Sequence, residues 1–329
     1  MVQDIEIVIV GAGLSGIMAA RTLTEAGKKV VLLDKGRSPG GRMATRRLAG
    51  GRADHGAQFF TVRDARFQTL VEGWLAAGFV FEWSRGWSDG SLTSARDGHP
   101  RYAVRAGMND LVQRLAAGLD VRTHVRVDKV RKMPGGWQIE DESGGIIRAE
   151  QVILTPPVPQ SLELLRRSDV ILPDAIAAEL ASIDYIRCIT VMLAVEGPVA
   201  LPPPGAIQRP HAPITWIADN HAKGISESTI ITMQASADYS AAMWDEPDEI
   251  IVRDFKIHLM PFISERTTIT EAQVKRWRYS APLKLYPERY VLVDLDGSIL
   301  ALAGDAFGAP RVEGAVLSGL AVGEALAQR

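Results

Sequence analysis

The chain opens on Ile5-Glu6-Ile7-Val8-Ile9-Val10, a short, β-branched and nearly unbroken apolar run. Such a run predicts a parallel strand buried on both faces. Helical spacing follows in Ile17-Met18-Ala19-Ala20-Arg21-Thr22-Leu23, and Gly27 ends that helix. Lys29-Val30-Val31-Leu32-Leu33 returns to a strand pattern and stops at Asp34. Val121 to Val130 alternates apolar and polar residues, which predicts one edge-exposed strand. Gln151-Val152-Ile153-Leu154 predicts a further parallel strand that runs into a Thr155-Pro156-Pro157 turn. Near the end, Ile299 to Ala303 is a buried strand before Gly304-Asp305, and a helix opens at Arg311 and runs through Ser318, Leu320, Val322 and Leu326. The middle of the chain mixes strands near Cys188–Val195, Ile214–Ile217 and Ile230–Ser236 with helices near Pro173–Ser182 and Pro247–Met260. Within it Trp216 is expected to face the interior, and the proline-rich Leu201–Gly205 and Pro210–Pro213 stretches are loops.

Between the first strand and the first helix stands Gly11-Ala12-Gly13-Leu14-Ser15-Gly16. Gly11 permits a tight turn, Gly13 lets backbone approach a pyrophosphate, and Gly16 lets the helix pack close to the strand. The diphosphate then sits at the helix N-terminus, where unpaired N–H groups and the helix dipole favour an anion. Asp34 lies 18 residues beyond Gly16, at the end of the second strand, where a carboxylate can accept from ribose hydroxyls. The glycines alone are weak evidence. Framed by strand, helix, strand and terminal acid, they specify a dinucleotide site.

Length and composition narrow the setting. A chain of 329 residues exceeds an ordinary single domain, so two domains are expected. Hydrophobic residues at 47% and charged residues at 23% describe a globular protein, not a disordered one. A net charge of −2 argues against a nucleic-acid partner or a cationic membrane-surface protein. Cys188 is the only cysteine, so no intramolecular disulfide forms and a reducing, cytoplasmic home is expected. Met1 to Glu6 carries no basic leader, and no apolar run reaches the ~18 residues of a spanning helix. No spacing of His, Cys and Asp suggests a metal, and His211 and His221 fall in loops as solvated residues. No nucleophile-elbow motif is present.

The segment after Asp34 separates flavin from nicotinamide binding. Lys35-Gly36-Arg37-Ser38-Pro39-Gly40-Gly41-Arg42-Met43 resembles the glycine-glycine-arginine extension of the glutathione-reductase-like flavoproteins, which include the amine oxidases. The resemblance implies FAD as the cofactor, with Lys35, Gly41 and Arg42 beside its phosphates. The bland alternative for Arg46 and Arg47 is a basic surface loop. Asp54-His55-Gly56-Ala57-Gln58-Phe59-Phe60 resembles the segment that passes the isoalloxazine, where Gln58 can offer a neutral amide. In the same family the backbone at Val127 meets the adenine, and the turn at Thr155 lies beneath the cofactor. Asp305 resembles the acid that holds the ribityl or pyrophosphate region. The helix opened by Arg311, Val312, Glu313, Gly314 and Ala315 would aim its N-terminus at the flavin N1–C2=O edge. The absence of a cysteine near Gly304 implies non-covalent attachment. The expected fold is α/β: a Rossmann-type FAD-binding domain built from residues 1–64, 99–160 and 280–329, with an inserted α+β substrate domain of the amine oxidase type at 65–98 and 161–279.

A narrower resemblance comes from Asp54 to Phe67, Lys275-Arg276-Trp277-Arg278-Tyr279 and Arg311-Val312-Glu313-Gly314-Ala315, which together are similar to the bacterial renalases. These flavin oxidases take a hydride from misreduced 1,2- or 1,6-dihydro isomers of NAD(P)H and pass the electrons to O2, giving NAD(P)+ and H2O2. The resemblance implies a dihydronicotinamide dinucleotide substrate, O2 as partner, Gln58, Trp277 and Arg311 near the reacting groups, and a monomer or weak homodimer. Two departures separate the chain from amine oxidases. Arg311 stands where those enzymes place an aromatic residue, and a cation there repels a protonated amine. Arg187 aligns loosely with their flavin-proximal lysine. Trp277 and Tyr279 are read equally as pocket or packing residues. An amine oxidase or desaturase is the second reading; a non-catalytic FAD-binding protein is the third.

Overall fold

A computed structural model describes residues 3–90 and 97–329. The chain forms two compact units, Met1–Gly41 with Val112–Tyr185 and Ala281–Arg329, and Arg42–Leu111 with Ile186–Ser280.

The first unit is built on a mixed sheet. Its strands lie in the order Tyr290–Leu295, Ser298–Ala303, Ile146–Leu154, Gln3–Val10, Val30–Leu33, Asp120–Arg122. The four pairings from Ser298–Ala303 to Asp120–Arg122 are parallel, and Tyr290–Leu295 adds an antiparallel edge. Ile7, Val8 and Ile9 are fully buried, as the unbroken apolar run requires of a strand covered on both faces. The helices Leu14–Glu25 and Arg311–Ala327 pack closely because glycines open their contact. A Cβ on Gly319 would lie 2.3 Å from the Ser15 carbonyl oxygen, and one on Gly323 would lie 2.8 Å from Thr22 Cβ. Advancing along one helix therefore advances along the other, so the two run parallel.

The single strand expected over Val121 to Val130 is instead two. Asp120–Arg122 pairs with Val30–Leu33, and Val127–Met133 turns back to pair with Gly136–Asp141. Between them His124 adopts φ +58°, and the N–H groups of His124 and Val125 donate to the carbonyls of Gly36 and Asp34. The chain bends around the end of the second strand, and alternation alone does not reveal that bend.

The second unit carries a five-stranded sheet in the order Ala206–Gln208, Ile214–Asp219, Ile230–Ala235, Tyr185–Glu196, Thr268–Pro282. Helix Asp248–Leu259 buries Ile251, Phe255 and Leu259 in a cluster with Val191, Leu193, Ile231 and Met233. The helix has Pro247 at its N-cap and Asp248 and Glu249 in its first turn, the composition that favours a helix start. The hairpin Thr45–Leu48 with Gly51–Asp54 joins this unit through Leu48 and Ala53, which pack on Met192, Ala194 and Ile230.

This packing divides the chain at other points than the expected 64 and 99. Residues 42–111 cluster with the second unit because the hairpin is bonded there. Arg52 N–H donates to Ser226 Oγ, Asp54 N–H donates to Asn220 Oδ1, and Thr232 Oγ1 donates to the Asp54 carbonyl. The part of the expected 65–98 segment at 91–96 lies outside the described residues.

Candidate functional site

The first unit assembles a cradle from five separate stretches of chain. The Gly11 N–H donates to the Leu33 carbonyl, tying the loop to the second strand. Gly11 has φ +102°, and a Cβ there would lie 2.5 Å from Thr155 Oγ1; a Cβ on Gly16 would lie 2.1 Å from the Gly11 carbonyl oxygen. These two glycines are internal necessities. Gly13 differs, since a Cβ on it would meet nothing within 4 Å. Space over Gly13 is what a closely approaching diphosphate requires. Helix Leu14–Glu25 has no side-chain cap and no acid in its first turn, so its N-terminus stays available to an anion. Ser15, in that first turn, buries a hydroxyl oxygen that has no hydrogen-bond partner in the structure. An orphaned buried hydroxyl is costly unless a ligand completes it. The cradle therefore fits the diphosphate of FAD, and Ser15 joins the residues that would hold it. Ser15 stands inside the Gly11–Gly16 fingerprint, and its hydroxyl is the one signal of this role in the sequence.

Asp34 sits where the ribose is expected. Its Oδ2 accepts from Ala12 N–H at 2.7 Å and its Oδ1 from Gly36 N–H at 2.6 Å, which fixes the carboxylate and leaves one lone pair on each oxygen for hydroxyl donors. Lys35 is exposed beside it. Gly41 adopts φ +55°, and a Cβ there would lie 3.5 Å from Gly13 Cα, while Gly40 N–H donates to the Ala12 carbonyl, so the extension folds back onto the loop. Val127 begins its strand two residues beyond Val125, whose N–H donates to the Asp34 carbonyl. Thr155 differs from a direct ligand: its hydroxyl donates to the Val10 and Gly11 carbonyls at 2.9 and 3.0 Å, so it braces the glycine loop.

At the other end, Gly304 N–H donates to Ser318 Oγ, which pins the last strand to the C-terminal helix, and Asp305 is buried beside it. Arg311 starts that helix in the left-handed region at φ +72°, exposed, with no ion pair among the described residues. Val312 is buried, Glu313 and Ala315 are half-buried, and a Cβ on Gly314 would collide with the Ala309 carbonyl at 1.7 Å. No side chain caps this helix either.

In the second unit the segment from Asp54 to Gln58 is clamped. Lys223, fully buried, donates from Nζ to Asp54 Oδ2 and to the Gln58 carbonyl, both at 2.6 Å, and lies 4.7 Å from the Trp83 ring centroid. Burial pulls the Lys223 ammonium below its usual range, and the Asp54 carboxylate opposes that shift. The Gln58 amide is consumed within the unit. Its Nε2 donates to the Asp54 and Gly56 carbonyls, and its Oε1 accepts from Trp216 Nε1. The neutral amide expected to act on a ligand is thus a structural brace, because both of its ends are taken. Arg42 likewise turns Nη1 to the carbonyls of Tyr279 and Ser280 at 3.5 and 3.3 Å, so it anchors the strand Thr268–Pro282 as well as carrying charge. Arg187 lies over Trp244 at 5.0 Å from the ring centroid.

Trp277 joins His55, a residue that no motif in the sequence singles out. Its Nε1 donates to the His55 carbonyl at 2.7 Å, and the two rings stack at 5.3 Å and 22°. His55 is 6% exposed with an unpartnered Nδ1. Burial first, then Arg46 and Lys275, lowers its pKa from 6.5 to about 4, so the imidazole is neutral at pH 7. A depressed histidine stabilises the fold above its unfolded pKa, and that contribution is lost as pH falls from 6.5 through 4. Comparing the protein with His55→Gln by urea denaturation at pH 7 and pH 4 should show about 3 kcal/mol more loss in the parent. Parallel losses in the two proteins would mean that His55 titrates as an exposed group.

Comparison with known proteins identifies the family. Residues 9–73 match the NAD(P)-binding Rossmann-like domain, and residues 75–327 match the family described as Flavin containing amine oxidoreductase. The chain belongs to that flavin-containing amine oxidoreductase family, a class of FAD-dependent oxidoreductases. It is 28% identical to the renalase of Mus musculus over 169 residues, covering 48% of each protein. It is 46% identical over 50 residues to the lysine-specific histone demethylase 1 homolog 1 of Arabidopsis thaliana, covering 15% of this chain and 6% of that one. The chain thus spans about half the length, or far less, of these curated relatives. The cyclohexylamine oxidase of Brevibacterium oxydans IH-35A shares the fold, with a TM-score of 0.76, 14% identity and 99% of both chains covered. Among the described residues no helix is long and apolar enough to cross a membrane, and no cluster of His, Cys, Asp and Glu could hold a metal.

Proposed function

We propose that this protein is an oxidase of misreduced nicotinamide dinucleotides, taking a hydride from 1,2- or 1,6-dihydro isomers of NAD(P)H. The balanced reaction joins the dihydropyridine, O2 and one proton to give NAD(P)+ and H2O2. Arg311 carries this reading. It is an exposed guanidinium at the first position of the C-terminal helix, where amine oxidases place an aromatic wall. A cation there disfavours a protonated amine and favours an anionic dinucleotide. The renalase similarity supports the same choice.

FAD, when bound, supplies the two-electron acceptor. Gly11, Gly13, Ser15, Gly16 and Asp34 would hold its ADP half, and Asp305, Val312, Glu313 and Ala315 are the candidates for its flavin half. The chain itself needs no strong base, since the dihydropyridine gains aromaticity as it gives up hydride. Its residues have to position the substrate and exclude competing reactions.

The test is anaerobic mixing of the FAD-loaded protein with 1,2-dihydro-NAD, 1,6-dihydro-NAD, NADH and benzylamine in turn, following flavin absorbance at about 450 nm. Fast bleaching by a misreduced isomer, with recovery on O2, is the expected result. Bleaching by benzylamine alone would replace this reading with an amine oxidase.

A further inference from the structure

We propose that Arg46 and Lys275 form an anion subsite against the His55–Trp277 stack, and that it takes a phosphate of the dinucleotide substrate. The identity of the anion rests on the function proposed above; the site itself rests on the second unit alone. Arg46 lies on the strand Thr45–Leu48 and Lys275 on the strand Thr268–Pro282. Both are half-buried, and neither has an ion pair among the described residues. Arg46 buries its Nε without a hydrogen-bond partner, and Lys275 Nζ is 5.0 Å from the Trp277 ring centroid.

Two cations of like sign held near each other in a partly dry place are unfavourable without a counter-charge. No carboxylate is paired with either cation among the described residues. On its other side Arg46 lines a cleft of about 430 Å³ with Asp248, Glu249, Gln273 and Val274, a lining that does not include Lys275, His55 or Trp277. Asp248 is taken by Arg276 Nη1 at 2.5 Å, and Glu249 is exposed on its helix. Arg46 lowers the proton affinity of Lys275, after burial, and both cations lower that of His55. The buried His55 Nδ1 is a second, independent vacancy in the hydrogen bonding at this place. A phosphate oxygen would offset the two charges. Arg42, four residues before Arg46, differs in that its guanidinium is already bonded to backbone carbonyls.

The experiment is calorimetric titration of the FAD-loaded protein with ADP-ribose, which has the diphosphate but no nicotinamide. Saturable binding that weakens with added salt is expected, with Arg46→Gln and Lys275→Gln each weakening it about tenfold and Arg46→Lys largely retaining it. Unchanged binding in both glutamine variants overturns the subsite. Loss of FAD from those variants also overturns it, by assigning the cations to the cofactor. Because no turnover is read, the outcome is separable from the bleaching test: ADP-ribose held by Arg46 and Lys275 in a protein that no dihydropyridine reduces would sink the proposed reaction and keep the anion subsite.

Discussion

Lys223→Met is expected to lower folding stability by about 3–5 kcal/mol, because it leaves a buried carboxylate without its cation. Lys223 and Asp54 are both fully buried and meet at 2.6 Å. Asp54 would keep the hydrogen bonds that Thr45 Oγ1 and Met108 N–H donate to its Oδ1, yet those neutral donors do not replace an ammonium. The Gln58 carbonyl would also lose its donor. Urea denaturation of the parent and the variant measures the loss. A second variant separates charge from packing: adding Asp54→Asn to Lys223→Met removes the stranded charge and should recover part of the stability. A loss below about 1 kcal/mol for Lys223→Met would place the pair among ion pairs of little net worth.

The second large effect divides two glycines of one loop. Gly13→Ala should leave folding stability nearly unchanged while FAD retention falls sharply, since its Cβ enters space that no protein atom lines within 4 Å. Gly13 has φ −75° and ψ 176°, which alanine adopts without strain. Gly16→Ala should lose both FAD and stability. Its Cβ would stand 2.1 Å from the Gly11 carbonyl oxygen, and backbone cannot yield as a side chain can. Overpacking of that kind costs about 1–3 kcal/mol or more. The ratio of flavin to protein absorbance after gel filtration reads the first quantity, and denaturation of the apoprotein reads the second. Full FAD retention by Gly13→Ala would move the diphosphate off this loop.

Of the candidate site, the cradle was the legible part. Gly11 and Gly16 make the turn and the close helix contact that their spacing indicated, and Asp34 ends the second strand, because a strand, a glycine turn, a helix and a strand are set by neighbours within about thirty residues. The clamp on the isoalloxazine-type segment was not legible in the same way. Gln58 reads as a free polar side chain until Trp216, 158 residues away, is found bonded to its oxygen. Lys223 carries no motif at all, and its place beside Asp54 comes from a turn meeting a hairpin across 169 residues. His55 stands out only through its burial and its two cationic neighbours.

The sequence by itself determined the local elements: the buried strand at Ile5–Val10, the glycine turn after it, the paired strand and helix at the C-terminus, and the starts of the helices at Asp174 and Asp248 behind their prolines. These follow from periodicity, from backbone angles that only glycine tolerates, and from the missing N–H of proline. Tertiary structure alone decided that Val121 to Val130 breaks into two strands, that residues 42–64 pack with the second unit, and which polar groups there are spent and which are left over. The physical reason is distance along the chain. Hydrogen-bond satisfaction and desolvation depend on partners brought from more than a hundred residues away, and no local pattern records who those partners are.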